Sequence, residues 1–115
     1  MLCKPGEIIG IPFPFTDLST RKRRPVLVLT NPDRRGDFIC LAVTSVLTKE
    51  CAVGIDVKSM VTGYLPKPSY VRYDKIFTLN DSIIVKFYGT IGEAKLQEIN
   101  KKLCNYLGCN KIQKG

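Results

Sequence analysis

Short apolar runs separated by turn residues fill the first ninety positions of the chain. Residues 7–12 form a first predicted strand, bounded by Pro5-Gly6 and by Pro12-Phe13-Pro14. Residues 25–30 form a second, rich in Val and Leu. The segment Asn31-Pro32-Asp33-Arg34-Arg35-Gly36 has the chemistry of a turn. Residues 37–46 follow as a third strand, which pairs with the second as a hairpin. Both hairpin strands are apolar on both faces, so the sheet must be closed or covered on both sides.

Residues 52–57 form a weaker fourth strand, and residues 63–68, with Pro66 and Pro68, a loop. Residues 69–73 and 75–79 are two short strands with room for a helical turn between them. Asn80-Asp81 is a turn, and residues 82–88 are the last strand. Helical periodicity is confined to the C-terminus, where Leu96, Ile99, Leu103 and Leu107 fall on one face. Thr90-Ile91-Gly92-Glu93 has the form of a capping box, Glu98 and Lys102 make a favourable i,i+4 pair, and Gly108 suits the stop. The pattern predicts a mainly β fold, a small barrel of SH3 or OB type with a C-terminal α-helix packed on it.

Length and composition narrow this. The 115 residues suit one domain, 1–115, which buries roughly two-thirds of its unfolded surface. The 44% hydrophobic and 24% charged residues argue against disorder. Lys and Arg number 18 and Asp and Glu 10, a net charge of +8 that favours a polyanionic partner. The absence of His removes His-based triads, proton shuttles and zinc sites. Five cysteines, an odd number with no C-x-x-C spacing, argue against a disulfide framework and read as small hydrophobes or inert thiols. No metal or other cofactor is expected. The longest apolar stretch, residues 38–47, is too short for a membrane span, which needs about 18 residues. The first residues lack the apolar core of a signal peptide, so a cytoplasmic protein is expected.

The densest candidate chemistry is Arg21-Lys22-Arg23-Arg24, four consecutive cations expected in the loop between the first two strands. Such a run either tracks a phosphate backbone or is a solvated loop. Arg24 differs from its neighbours. It precedes Pro25, which biases it to extended backbone, and it opens an apolar strand. A guanidinium fixed in this way matches phosphate oxygens, or else pairs with a carboxylate such as Asp17. Thr44 and Ser45 close the third strand. Counting outward from a turn centred near Arg34 sets Arg24 opposite Thr44, within reach of one phosphate. Phe13, Phe15, Tyr64, Tyr70 and Tyr73 lie near predicted loops and either pack in the core or stack on bases.

Several segments in order resemble the PemK/MazF family of toxin endoribonucleases: Pro5-Gly6-Glu7-Ile8-Ile9, Pro12-Phe13-Pro14-Phe15-Thr16-Asp17-Leu18-Ser19, Arg23-Arg24-Pro25-Val26-Leu27-Val28-Leu29, Leu41-Ala42-Val43-Thr44-Ser45, Leu65-Pro66-Lys67-Pro68-Ser69-Tyr70-Val71-Arg72 and Asp74-Lys75-Ile76-Phe77-Thr78-Leu79. The resemblance implies an SH3-like barrel with a C-terminal helix, acting as a homodimer. It implies metal-free cleavage of single-stranded RNA, blocked by a cognate antitoxin. The family's catalytic Arg and Thr fall on Arg24 and Thr44, with Ser45 as the adjacent hydroxyl. Arg21, Lys22 and Arg23 would track the RNA backbone, and Asp17 would supply any acidic group. Two features depart from the family: Val46 stands where Gln is frequent, and the loop before Arg24 is short and basic, so no target sequence carries over. The rival readings are a barrel that only binds nucleic acid and an inactive family member. A gyrase poison of CcdB type relies on a C-terminal Trp, and this chain has no Trp.

Overall fold

The computed structural model describes residues 3–13 and 22–109. Seven strands, β1 (Glu7–Phe13), β2 (Lys22–Val28), β3 (Asp37–Thr44), β4 (Ala52–Ile55), β5 (Met60–Gly63), β6 (Ser69–Asn80) and β7 (Lys86–Ile91), form one sheet. The order is β4-β6-β3-β2-β1-β7-β5 and every pairing is antiparallel. The two outermost strands, β4 and β5, are consecutive in sequence. A link from Ile55 to Met60 spans at most about 18 Å, whereas seven strands laid flat at about 4.8 Å spacing would separate the edges by about 29 Å. The sheet therefore curls until its edges approach each other, giving the half-barrel expected of an SH3-like fold. A 3-10 turn at Val57–Ser59 makes the link, capped by the Asp56 carboxylate accepting from the Lys58 N–H.

Curling explains why β1, β2 and β3 are apolar on both faces. One face gives Ile8, Leu27, Leu41 and Val43 to a core shared with Val53, Val71, Leu65, Ile91 and Ile99. The other gives Ile9, Ile11, Val26, Val28 and Cys40 to a second cluster with Cys3 and Phe38. Helix α1 (Glu93–Leu107) closes the first core. Its Ile99 is fully buried and Leu96 and Leu103 pack beside it, but Leu107 is more than half exposed.

Each difference from expectation has a structural cause. Residues 69–80 form one strand without a helical turn. Leu41 faces Ile76 while Ala42 faces Arg72, so residues 73–75 are taken up by a bulge within β6. β5 forms where no element was expected and reaches only Gly63 of the expected loop; Gly63 and Gly89 let β5 and β7 approach closely. A Cβ on Gly63 would collide with the backbone of Tyr88 and Gly89. A 3-10 turn at Asp81–Ile83 displaces the last strand, which begins at Lys86. The capping box does not form, since Thr90 and Ile91 complete β7 and Gly92 is the N-cap, with no side-chain cap bond. Among the described residues, no helix is long and apolar enough to cross a membrane.

Candidate functional site

Position 24 lies within β2, since that strand begins at Lys22. Lys22, Arg23 and Arg24 are therefore strand residues, contrary to the loop expected for them. β2 is held on one side by β1, with Ile11 facing Arg24. On the other side Val28, Leu27 and Val26 face Cys40, Leu41 and Ala42. That ladder stops beside Pro25, which has no N–H to give. Continued by two residues, the same register sets Arg24 opposite Thr44, the last residue of β3.

Two hollows meet here, and Arg24, Pro25, Val43 and Thr44 form the wall between them. The first, about 400 Å3, adds Arg23, Ser45, Val46 and Lys67. The second, about 330 Å3, adds Arg72, Lys75 and Phe77 over a floor that includes Val26 and Ala42. No described carboxylate lines either hollow. The Nε of Arg24 is buried although the residue as a whole is partly exposed. Its stem is thus clamped, which leaves little rotamer freedom to lose when an anion binds.

Thr44 is fixed by its own turn. Its Oγ1 accepts the Val46 N–H at 3.1 Å, leaving the hydroxyl proton to donate outward. Arg72 is fixed by a two-point contact with Asp74, Nε to Oδ1 at 3.2 Å and a terminal nitrogen to Oδ2 at 3.0 Å. Two residues apart on one strand, the pair shares a face, and the small side chain of Ala42 stands opposite Arg72 in the same hollow.

The structure thus brings Arg23, Arg24, Thr44 and Ser45 to one place. Lys22 opens β2. Asp17 and Arg21 lie outside the described residues, as does any pairing of Arg24 with Asp17. Lys67, Arg72 and Lys75 join the site without having been singled out. The sequence signal for them was only their place in family-like segments, and the bulge that follows Arg72 has no local signature. Tyr64 is well exposed, whereas Tyr73 packs against the helix-side core. Among the described residues, no three His, Cys, Asp or Glu side chains come together as a metal cluster would need.

By sequence the chain matches, over residues 4–107, the family of PemK-like, MazF-like toxins of type II toxin–antitoxin systems. The chain belongs to that family. No curated protein matches the toxin by sequence. Solved structures share its fold. An endoribonuclease in complex with its cognate antitoxin, from a mycobacterial species, is 19% identical with a TM-score of 0.69, over 92% of this chain and 93% of that one. The Mycobacterium tuberculosis toxin MazF-mt6 is 19% identical with a TM-score of 0.69, over 89% and 96%. A MazE–MazF complex from Deinococcus radiodurans gives 22% and 0.70, over 94% and 97%. The half-barrel of this PemK/MazF-like toxin, with its C-terminal helix, is the fold of those proteins.

Proposed function

We propose that this toxin is a metal-independent endoribonuclease that cuts single-stranded RNA, with residues 1–115 acting as one cytoplasmic toxin domain. The observation that carries the reading is the shared wall of Arg24 and Thr44 between two hollows lined by Arg23, Lys67, Arg72 and Lys75. A polyanion with a reactive phosphate suits that surface. Two family relatives described as endoribonucleases support the activity. Relatives solved with an antitoxin support a cognate antitoxin as the inhibitor. The family also supports a homodimer.

RNA brings its own nucleophile. In the proposed step the 2′-oxygen attacks the adjacent phosphorus and the bond from phosphorus to the 5′-oxygen breaks. The products are a 2′,3′-cyclic phosphate and a 5′-hydroxyl, and the 2′ proton is balanced by the one gained at the 5′-oxygen. Charge builds on the phosphorane oxygens, and Arg24 stabilises it there. A preorganised donor of this kind typically supplies about 10²–10³ in rate. The guanidinium of Arg24 is a permanent cation, so Arg24 is an electrostatic clamp and hydrogen-bond donor rather than a base. Thr44, with its oxygen engaged by Val46, donates to a phosphate oxygen and orients it. Ser45 and Arg23 hold neighbouring backbone, joined by Arg21 and Lys22, and Asp17 is the nearest acidic residue in sequence.

One observation favours a second reading, a barrel that binds RNA without cutting it: no described carboxylate lines the hollows and the chain has no His. A structureless RNA carrying a single 2′-deoxy substitution at a mapped cut separates the mechanisms. Transesterification is abolished there, whereas hydrolysis by water persists. Binding with no cut on any RNA selects the second reading.

A further inference from the structure

Four of the five cysteines form two pairs of opposite character. Cys3 and Cys40 are buried in the second core cluster. Desolvation, with Cys3 adding to it, pushes the Cys40 thiol up to about 12, so it stays protonated and inert. Cys104 and Cys109 are partly exposed and lie at the C-terminal end of α1.

The way α1 ends explains their meeting. Gly108 is left-handed, at φ 82°, and its N–H reaches back to the carbonyls of Asn105, at 3.1 Å, and Cys104. A reversal of this type folds the residue after the glycine against the side chain one turn back in the helix. In most proteins that contact joins two apolar side chains. Here the two positions, Cys109 and Cys104, both carry thiols, which this turn sets side by side. Among the described residues no further His, Cys, Asp or Glu completes a metal cluster around them. What remains is the chemistry of two thiols in contact.

We infer that Cys104 and Cys109 are a reversible modification site, a dithiol that low-molecular-weight disulfides oxidise to an internal disulfide across the helix-ending turn. The Cys109 thiolate attacks one sulfur of the small disulfide, forming a mixed disulfide and releasing one small thiolate. Cys104 then gives up its proton to solvent and attacks the Cys109 sulfur, expelling the second small thiolate. Two protein thiols lose two electrons and two protons, and the small disulfide becomes two thiols. The order follows from the pairing, because the neighbouring Cys109 thiol, aided by desolvation, holds the Cys104 thiol above its ordinary range. The closed loop is short, so the bond rivets the end of the helix rather than stapling the fold. That end bears on the sheet: the Tyr106 ring meets the Tyr73 ring edge-on at 5.8 Å, and Tyr73 lies in the β6 bulge, between Arg72 and Asp74. The inference stands whether or not the toxin cuts RNA.

The test is oxidation of the whole reduced protein with oxidised glutathione, followed by alkylation under denaturing conditions and trypsin. Cleavage after Lys102 and Lys111 leaves both cysteines in one peptide, residues 103–111. That peptide is expected to lose two hydrogens, escape alkylation, and recover both thiols with dithiothreitol. The Cys104→Ser variant, which lacks the resolving sulfur, is expected to accumulate a stable glutathione adduct at Cys109. The inference is overturned by unmodified thiols, by adducts on both cysteines without an internal bond, by a disulfide between two copies, or by pairing with Cys3, Cys40 or Cys51.

Discussion

Arg24 and Thr44 share the wall between two hollows where the β2–β3 ladder opens, and the turn after β3 occupies the Thr44 oxygen with the Val46 N–H. The hydroxyl is thereby oriented as a donor. Thr44→Ser keeps that donor and Thr44→Val removes it. A hydrogen bond to a charged group is worth about 1.5–3 kcal/mol, so cleavage by the Val variant is expected to fall roughly ten- to hundredfold while the Ser variant stays near wild type. Single-turnover rates on one RNA check this. Equal slowing of both variants contradicts an orienting hydroxyl.

Arg23 and Lys67 line the first hollow together with Arg24 and Thr44. Their truncation to Ala should weaken binding of all single-stranded RNAs alike. For every phosphate left without its cation, the slope of log affinity against log salt should become shallower by about 0.7. Binding titrations across a salt series read this out, and an unchanged slope assigns these cations to solubility.

Stability depends on the face that α1 buries. Ile99 is its fully buried residue, set among Ile8, Leu27, Val71 and Ile91. Ile99→Ala is expected to cost about 2–5 kcal/mol, transfer and cavity together. Leu107→Ala, at an exposed position, is expected to cost much less. Urea denaturation of the two variants provides the comparison.

The buried Cys40 thiol ties stability to alkaline pH. Its folded value of about 12 lies above the ordinary 9.0, so the neutral form is the one the fold favours. Its contribution is complete below pH 9 and is lost as pH rises from 9 towards 12. Unfolding free energy should therefore fall more steeply over that window in wild type than in Cys40→Ala. Equal slopes would show that Cys40 does not titrate in the folded core.

Much of this was legible because it is local. The Asn31–Gly36 turn sets the hairpin register by counting, and that count gives the observed pairing of Val26 with Ala42. The helix announces itself through Leu96, Ile99 and Leu103, and Gly108 ends it as expected. What was hidden depends on distant partners. β5 exists because Gly63 can lie against Gly89, far along the chain. Arg72 lines the second hollow beside Ala42, and the bulge of residues 73–75 that follows it is a consequence of pairing rather than of sequence period. Thr90 has the chemistry of a helix cap, and only the sheet reveals that it belongs to β7.

The proposed activity turns on Arg24 stabilising the reacting phosphate of RNA. The most direct measurement is the cleavage rate of a long structureless RNA by wild type and by Arg24→Ala in excess chelator, with both products' ends mapped and the variant's folding verified by circular dichroism. The account predicts wild-type cutting that leaves 2′,3′-cyclic phosphate and 5′-hydroxyl ends, with the folded variant slower by about 10²–10³. Cleavage by Arg24→Ala at the wild-type rate, at the same positions, would contradict it.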